Sequence, residues 1–329
     1  MSAAIKRRIL TIDGGGLKGI VPAAFLAELE KQVERPLHEY FDLIVGTSTG
    51  GIIAAGIACG MRAEEIVDIY KKSGPRIFPT GNWFTRLKLW MNWVVRTKYP
   101  TSVLRAELEH HFQEALIGDA RTRLVIPSWN PTGQGVYIWK TRHCGRFRLD
   151  HSKPIVEALV STASAPTYFS SSLKRGGTGL IDGGVWANNP MLVAAVEAVG
   201  VLGWNAHDVY MLALGCIKED YIPPSGGGLL RWALPAPTVF MQGQSSGAVG
   251  GTYLLLGDRP NAPERVFRLE ASVPSGKFAL DGANNLDQME RMGRDFARQR
   301  LDHLLSLFFR DQVTPFVPLP KEALDEEVA

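Results

Sequence analysis

Ser48 stands in Gly46-Thr47-Ser48-Thr49-Gly50, a G-x-S-x-G directly behind the apolar run Phe41-Asp42-Leu43-Ile44-Val45. In that setting its hydroxyl can serve as a nucleophile. A strand delivers the chain to a sharp turn, a helix carries it away, and glycines make room for the crossing. The serine is left in the open at the positive end of the helix. The next residues, Gly51-Ile52-Ile53-Ala54-Ala55-Gly56-Ile57-Ala58, are small and apolar, as suits a helix buried against a sheet. The five-residue motif also occurs in ordinary turns, so its meaning comes from the strand before it and the helix after it.

Acyl transfer through a serine also needs a base and donors for the developing oxyanion. Donors are offered by Gly14, Gly15 and Gly16, which follow the apolar stretch 8–12 and precede a segment with Val21, Phe25, Leu26 and Leu29 at helical spacing. Glycines let successive N–H groups point one way. The same residues fit a competing pattern: Gly14, Gly16 and Gly19 form G-x-G-x-x-G, the dinucleotide-binding turn. That pattern wants an acidic residue closing the second strand, where this chain carries its G-x-S-x-G instead. For the base, none of the seven histidines lies in a glycine-rich turn at a strand end. Asp182-Gly183-Gly184, closing the apolar stretch from Leu180, does. A carboxylate buried there can take the serine proton directly, its basicity raised by desolvation. D-G is equally a common turn pair, and both readings of Asp182 stand at this level.

These groups need a framework. Strands are expected at 8–12, 41–45, 124–127, 136–139, 180–182, 209–215 and 265–269, and helices at 64–72, 103–116, 155–161, 190–201, 238–256 and 286–309. Alternating strands and helices with glycine turns at strand ends imply an α/β fold: a mostly parallel central sheet with helices on both faces. The glycine- and proline-rich stretch 223–228 suggests a catalytic core over 1–222. The remainder, 223–329, is expected to pack on the same domain, with a poorly ordered tail from about 310. A chain of 329 residues can bury such a core. The net charge of +3 gives no reason to expect a nucleic-acid polymer as partner. Cys59, Cys144 and Cys216 are too scattered for a disulfide framework or a zinc site, and fit a reducing cytosol. The uncharged stretch 43–61 is long enough for a membrane span, but its five glycines read better as strand, elbow and buried helix.

Asp13-Gly14-Gly15-Gly16-Leu17-Lys18-Gly19, the G-x-S-x-G and Asp182-Gly183-Gly184, in that order, together resemble the patatin-like phospholipase family. The likeness spans about 8–215 and includes Ser164-Ala165-Pro166-Thr167-Tyr168-Phe169 and Asn188-Asn189-Pro190. It implies a three-layer patatin-like fold and a Ser–Asp dyad in place of a triad. Ser48 would be nucleophile, Asp182 base and Gly14, Gly15 and Gly16 the oxyanion hole, with Lys18 and Gly19 supporting the loop. Lys18 stands where the family often has arginine, a departure that keeps the charge. The implied substrates are acyl esters of glycerolipids, cleaved through an acyl-enzyme without metal or cofactor. Tyr137-Ile138-Trp139-Lys140-Thr141, Arg146-Phe147-Arg148 and the stretch 180–190 are similar to a narrower bacterial branch, the phospholipase effectors of anti-phage defence. The likeness implies activation by a cyclic dinucleotide of the cyclic GMP-AMP type.

Two further segments bear on partners. In 83–95, Trp83, Leu87, Trp90 and Val94 share a helical face, with Trp93 beside them and Arg86 and Lys88 interspersed. This composition suits a peripheral contact with a phospholipid membrane, a lid over Ser48, or a subunit contact. Lys140, Arg142, Arg146 and Arg148, interleaved with aromatic residues, are candidates for the activator's phosphates and bases; one exposed strand face would show the same alternation. A nearly two-fold ligand suggests a site shared in a homo-oligomer. The expected setting is cytoplasmic, at the inner membrane. An ungated housekeeping lipid acyl hydrolase and a dinucleotide-cofactor-binding protein are the other readings.

Overall fold

The structure, a computed structural model, describes residues 6–79, 96–146, 149–171, 179–220, 225–232, 236–274 and 276–320. Trp83, Trp90, Trp93 and Arg148 lie outside the described residues. Among the described residues, seven strands form one sheet: β1 (Arg7–Ile12), β2 (Leu43–Gly46), β3 (Arg123–Asn130), β4 (Gly135–Lys140), β5 (Ile181–Asp182), β6 (Val209–Asp220) and β7 (Val266–Pro274). Their order is β4-β3-β2-β1-β6-β7, with β5 added against β3. Pairing is parallel from β3 through β7; β4 and β5 run antiparallel to β3.

Side chains of a strand alternate between faces, and here both faces are dry. Leu10, Ile12, Ile44, Leu124, Ile126, Leu212 and Leu214 face one core, shared with α1 (Ile20–Glu30), α2 (Thr49–Ala58) and α3 (Ala63–Ile77). Ile9, Leu43, Val45, Val125, Met211 and Ala213 face the other, against Met191, Ala194, Ala198, Tyr253 and Leu256. Helix, sheet and helix therefore form three layers.

Some boundaries moved for local reasons. α3 continues through Pro75 to Ile77. The expected single helix at 286–309 is two, Leu286–Arg298 and Leu301–Phe308. The first is a second cover over α1, and Gly293 permits the close approach: a Cβ there would lie 2.4 Å from the Val21 carbonyl oxygen. Between 310 and 320 the described chain is tied to earlier segments by two backbone bonds. Val313 N–H donates to Glu39 O and Leu319 N–H to Arg142 O. β7, from the C-terminal third, is a full member of the sheet, pairing with β6 from Met211 to Asp220.

Candidate active site

β3 explains how serine and aspartate meet. Its first residues pair with β2 at Leu43–Val45, while Ser128 and Trp129 pair with Asp182 and Ile181. β4 occupies the other edge of β3 along 125–130, so β5 must sit in line with β2, just beyond its C-terminal end. That is where the elbow lifts Ser48. Ser48 Oγ donates to Asp182 Oδ2 at 2.7 Å. Two residues 134 positions apart are thus joined by the register of a single strand.

The elbow is strained and braced. Ser48 has φ +55° and ψ −128°, a conformation costing about 1–3 kcal/mol in a non-glycine residue. The turn closes only because Gly46 and Gly50 lack side chains: their Cβ atoms would fall 2.2 Å from Gly50 O and 2.4 Å from Asp13 O. Ser48 N–H donates to Thr162 Oγ1 at 2.9 Å, and the Thr162 hydroxyl donates to Pro127 O at 2.6 Å. Thr162 is fully buried, and no motif marked it in the sequence. Thr162→Val keeps the shape and removes both bonds. It is expected to lower acylation about tenfold and stability by about 1–3 kcal/mol, read by single-turnover kinetics on a p-nitrophenyl ester and by thermal melts.

Asp182 is 4% exposed. Burial pushes its carboxyl up to about 7, while the Gly184 N–H at 2.6 Å and the Ser48 hydroxyl pull against that shift. Such a carboxylate is a competent base near neutrality. No histidine among the described residues bonds to Ser48 or Asp182.

The glycine loop lies against the elbow: a Cβ on Gly14 would be 3.0 Å from Ser48 Cβ. The three amides differ in what they have left to give. Gly14 N–H is already engaged by Asn188 O at 3.0 Å, while Asn188 Nδ2 donates back to Gly14 O at 3.2 Å. Gly15 N–H makes only a long 3.3 Å bond to Thr49 Oγ1. Gly16, at φ +57°, opens the 3-10 turn Gly16–Gly19, so its N–H has no acceptor within that turn. Lys18 is buried and ion-paired with Glu219 on β6. Tyr70 packs where a Gly19 side chain would stand and donates to Thr49 O at 3.1 Å, tying loop to elbow. Asn188 was visible in the sequence as Asn-Asn-Pro but with no role; Gln244, which accepts its N–H at 2.9 Å, gave no signal.

Of the cationic candidates, Lys140 is not brought to this site. Lys140 is level with Val45 across β3, and the chain after it runs toward the opposite end of the sheet from Ser48. It is 5% exposed and paired with Glu197 at 2.5 Å, so its expected place on a solvent face gives way to a place in the interior. Glu197 also bonds His143 Nε2 at 2.8 Å. Arg142 is half-buried and Arg146 exposed.

Parallel sheet, serine elbow and abutting carboxylate fit a hydrolase in which aspartate, not histidine, stands at the serine. Comparison with known proteins gives the family. Residues 10–195 match the profile described as Patatin-like phospholipase, more than half of the chain, and the chain belongs to that family of carboxylic ester hydrolases. It is 38% identical, over 85% of its length and 87% of the relative's, to a cGAMP-activated phospholipase of Pseudomonas aeruginosa (strain BWHPSA011 / Pa011). It is 30% identical, over 92% and 94%, to a cGAMP-activated phospholipase of Vibrio cholerae serotype O1. Among solved structures it is similar to VipD from Legionella pneumophila, with a TM-score of 0.46 and 12% identity over 91% of this chain and 67% of that one. Among the described residues, no helix is long and apolar enough to cross a membrane.

Proposed function

We propose that the chain hydrolyses acyl esters of membrane phospholipids through a Ser48–Asp182 dyad, and that a cyclic dinucleotide of the cyclic GMP-AMP type switches it on as part of anti-phage defence. The observation that carries the chemistry is the 2.7 Å bond from Ser48 Oγ to Asp182 Oδ2 beside a glycine loop with amides to spare. Asp182 takes the hydroxyl proton as Oγ attacks the ester carbonyl carbon. The carbonyl oxygen becomes an oxyanion facing the Gly15 and Gly16 amides. Collapse expels the lysolipid alkoxide, which takes the proton from Asp182. Water, deprotonated by the same carboxylate, then attacks the acyl carbon, and the C–Oγ bond breaks as Ser48 Oγ takes the proton back from Asp182, releasing the fatty acid. The gating reading is supported by relatives whose names carry cGAMP activation and which align with nearly the whole chain. Arg142 and Arg146 remain the described candidates for contacting the activator.

The test is fatty-acid release from phosphatidylglycerol–phosphatidylethanolamine vesicles with a panel of cyclic dinucleotides, comparing wild type with Ser48→Ala. One dinucleotide is expected to raise the rate on the order of 10–100-fold, and Ser48→Ala to abolish it. A rate indifferent to every dinucleotide sinks the gating and leaves the hydrolase.

A further inference from the structure

The loop that faces the oxyanion is held largely by residues beyond the matched family segment, which ends at residue 195. Asp13 N–H donates to Leu214 O at 3.0 Å, and Cys216 Sγ donates to Asp13 O at 3.5 Å. Leu17 N–H donates to Leu280 O at 2.8 Å, and Lys18 pairs with Glu219. The most specific contact comes from β7. Arg268 Nη1 donates to Asp13 Oδ1 at 2.8 Å and Nη2 to Oδ2 at 2.5 Å, a two-pronged fork that fixes the carboxylate plane. The Asp13 and Arg268 side chains are 7% and 10% exposed, so the pair sits in a medium where geometry is strictly enforced.

Arg268 reaches Asp13 from two strands away. β7 is separated from β1 by β6, and Arg268 is in register with Ala213, which is itself in register with Thr11. The pairing of β6 with β7 slips between Leu214 and Ile217, a bulge of the kind that re-aims side chains. Gly215 lies in that slip. A Cβ there would fall 2.8 Å from Arg268 Nη2 and 2.7 Å from Glu270 Cβ, so the missing side chain is the window through which the guanidinium crosses. Glu270 accepts from Arg268 Nη2 at 2.8 Å and holds it on the far side. Asp13 immediately precedes the three glycines, so a displacement of its gripped side chain that shifts the Asp13 Cα is passed on to their amides.

We propose that Arg268 is a positioning residue for the reaction: gripping Asp13 across Gly215, it sets the direction of the Gly15 and Gly16 N–H groups toward the oxyanion. The inference rests on the acyl-transfer reading of the Ser48 site. It assigns to the C-terminal third a share in the chemistry of a loop 255 residues earlier in the chain.

The experiment uses the full chain with saturating cyclic GMP-AMP and p-nitrophenyl butyrate, comparing wild type, Ser48→Ala, Arg268→Met, Arg268→Lys and Asp13→Asn. Arg268→Met and Asp13→Asn are expected to lower kcat on the order of 10–100-fold with KM changed less than about threefold. Arg268→Lys restores charge without the fork and is expected to fall between them and wild type. Guanidinium at tens of millimolar is expected to recover part of the lost kcat in Arg268→Met and none in Asp13→Asn. Should Arg268→Met not fold, Arg268→Lys and Asp13→Asn carry the test. An Arg268→Lys enzyme with wild-type kcat, or losses in KM alone, overturns the inference. If Ser48→Ala retains activity, it is the reading of the site that fails instead.

Discussion

Replacing Asp182 by Asn is expected to lower turnover about 10³–10⁴-fold while leaving a folded protein that is more stable than wild type above neutral pH. The loss follows from the geometry. Asp182 is the hydrogen-bond partner of Ser48 Oγ, and among the described residues no second base stands at the serine to receive its proton. Asn preserves the shape and its carbonyl oxygen can still accept the Gly184 N–H, but the amide nitrogen then faces Ser48 Oγ as a donor, and the group cannot take a proton. The rate of wild type on a soluble ester is expected to rise with pH along a limb centred close to 7, where burial places the carboxyl. Below it Asp182 is protonated and idle; above it the base is free. A limb centred near 4 would mean that a different, solvated carboxylate does the work.

The stability gain has the same origin. The carboxyl ionises near 3.8 in an ordinary setting and at about 7 in the folded chain. Between those values the folded protein keeps a proton that the unfolded chain has released. Wild-type stability therefore falls as pH rises from about 4 to about 7 and then levels off. Asn does not titrate, so the difference in melting temperature between variant and wild type is expected to open over that interval. The underlying difference in stability reaches at most about 4 kcal/mol at pH 8, since each pK unit corresponds to about 1.36 kcal/mol. Melts of both proteins at pH 5 and pH 8 check it. A gap that stays constant with pH would show that Asp182 is not carried through its ionisation in the folded state.

What the sequence disclosed and what it hid divide along physical lines. Ser48, the glycine loop and Asp182 were legible because each sits where the backbone is pushed into unusual space. Gly46, Gly50 and Gly16 record close approaches and a positive φ, which few other residues tolerate. The alternation of Ile9-Leu10-Thr11-Ile12 and Leu43-Ile44-Val45 announced a sheet covered on both faces. Residues that act through a side chain reaching across the fold left no trace. Thr162 braces the elbow from a helix whose pattern is that of any buried helix, and Arg268 looks like a charge on a solvent face until the slip at Gly215 shows where it points. Periodicity reports which face a residue is on; it is silent about a partner 255 residues away. Lys140 shows the converse failure. Its alternation with aromatic residues suits an exposed strand face, yet the residue that decides its burial, Glu197, lies in another element.

Glu197→Ala is accordingly expected to destabilise the protein by about 3–5 kcal/mol, a fall in melting temperature on the order of 10 °C, with the Ser48 chemistry at low temperature nearly unchanged. Burial alone would push the Glu197 carboxyl up, but the bonds from His143 and Lys140 overcome it and hold the group below its ordinary range, so it is ionised at neutrality. His143 is driven down by burial against the pull of Glu197 and is neutral. A neutral ring offers one donor, so Nε2–H serves Glu197 and Nδ1 accepts from the Thr141 hydroxyl at 2.8 Å. Truncating Glu197 removes a counter-charge from Lys140 and an acceptor from His143 at once, in a place that water does not reach. Lys140→Met combined with Glu197→Leu is expected to recover only part of the loss, because it removes the charges together but still leaves the buried His143 Nε2–H without its acceptor. The contribution of Glu197 is present above its unfolded pKa and is lost as pH falls through the lower folded value, so the gap between wild type and Glu197→Ala narrows below about pH 4. The same pair of variants separates structure from signalling. If Lys140 holds the fold, Lys140→Met lowers the melting temperature and leaves the half-activating concentration of cyclic GMP-AMP where it was. A shift of tenfold or more in that concentration, with melting unchanged, would return Lys140 to the activator's site and require the Glu197 pair to open when the ligand binds.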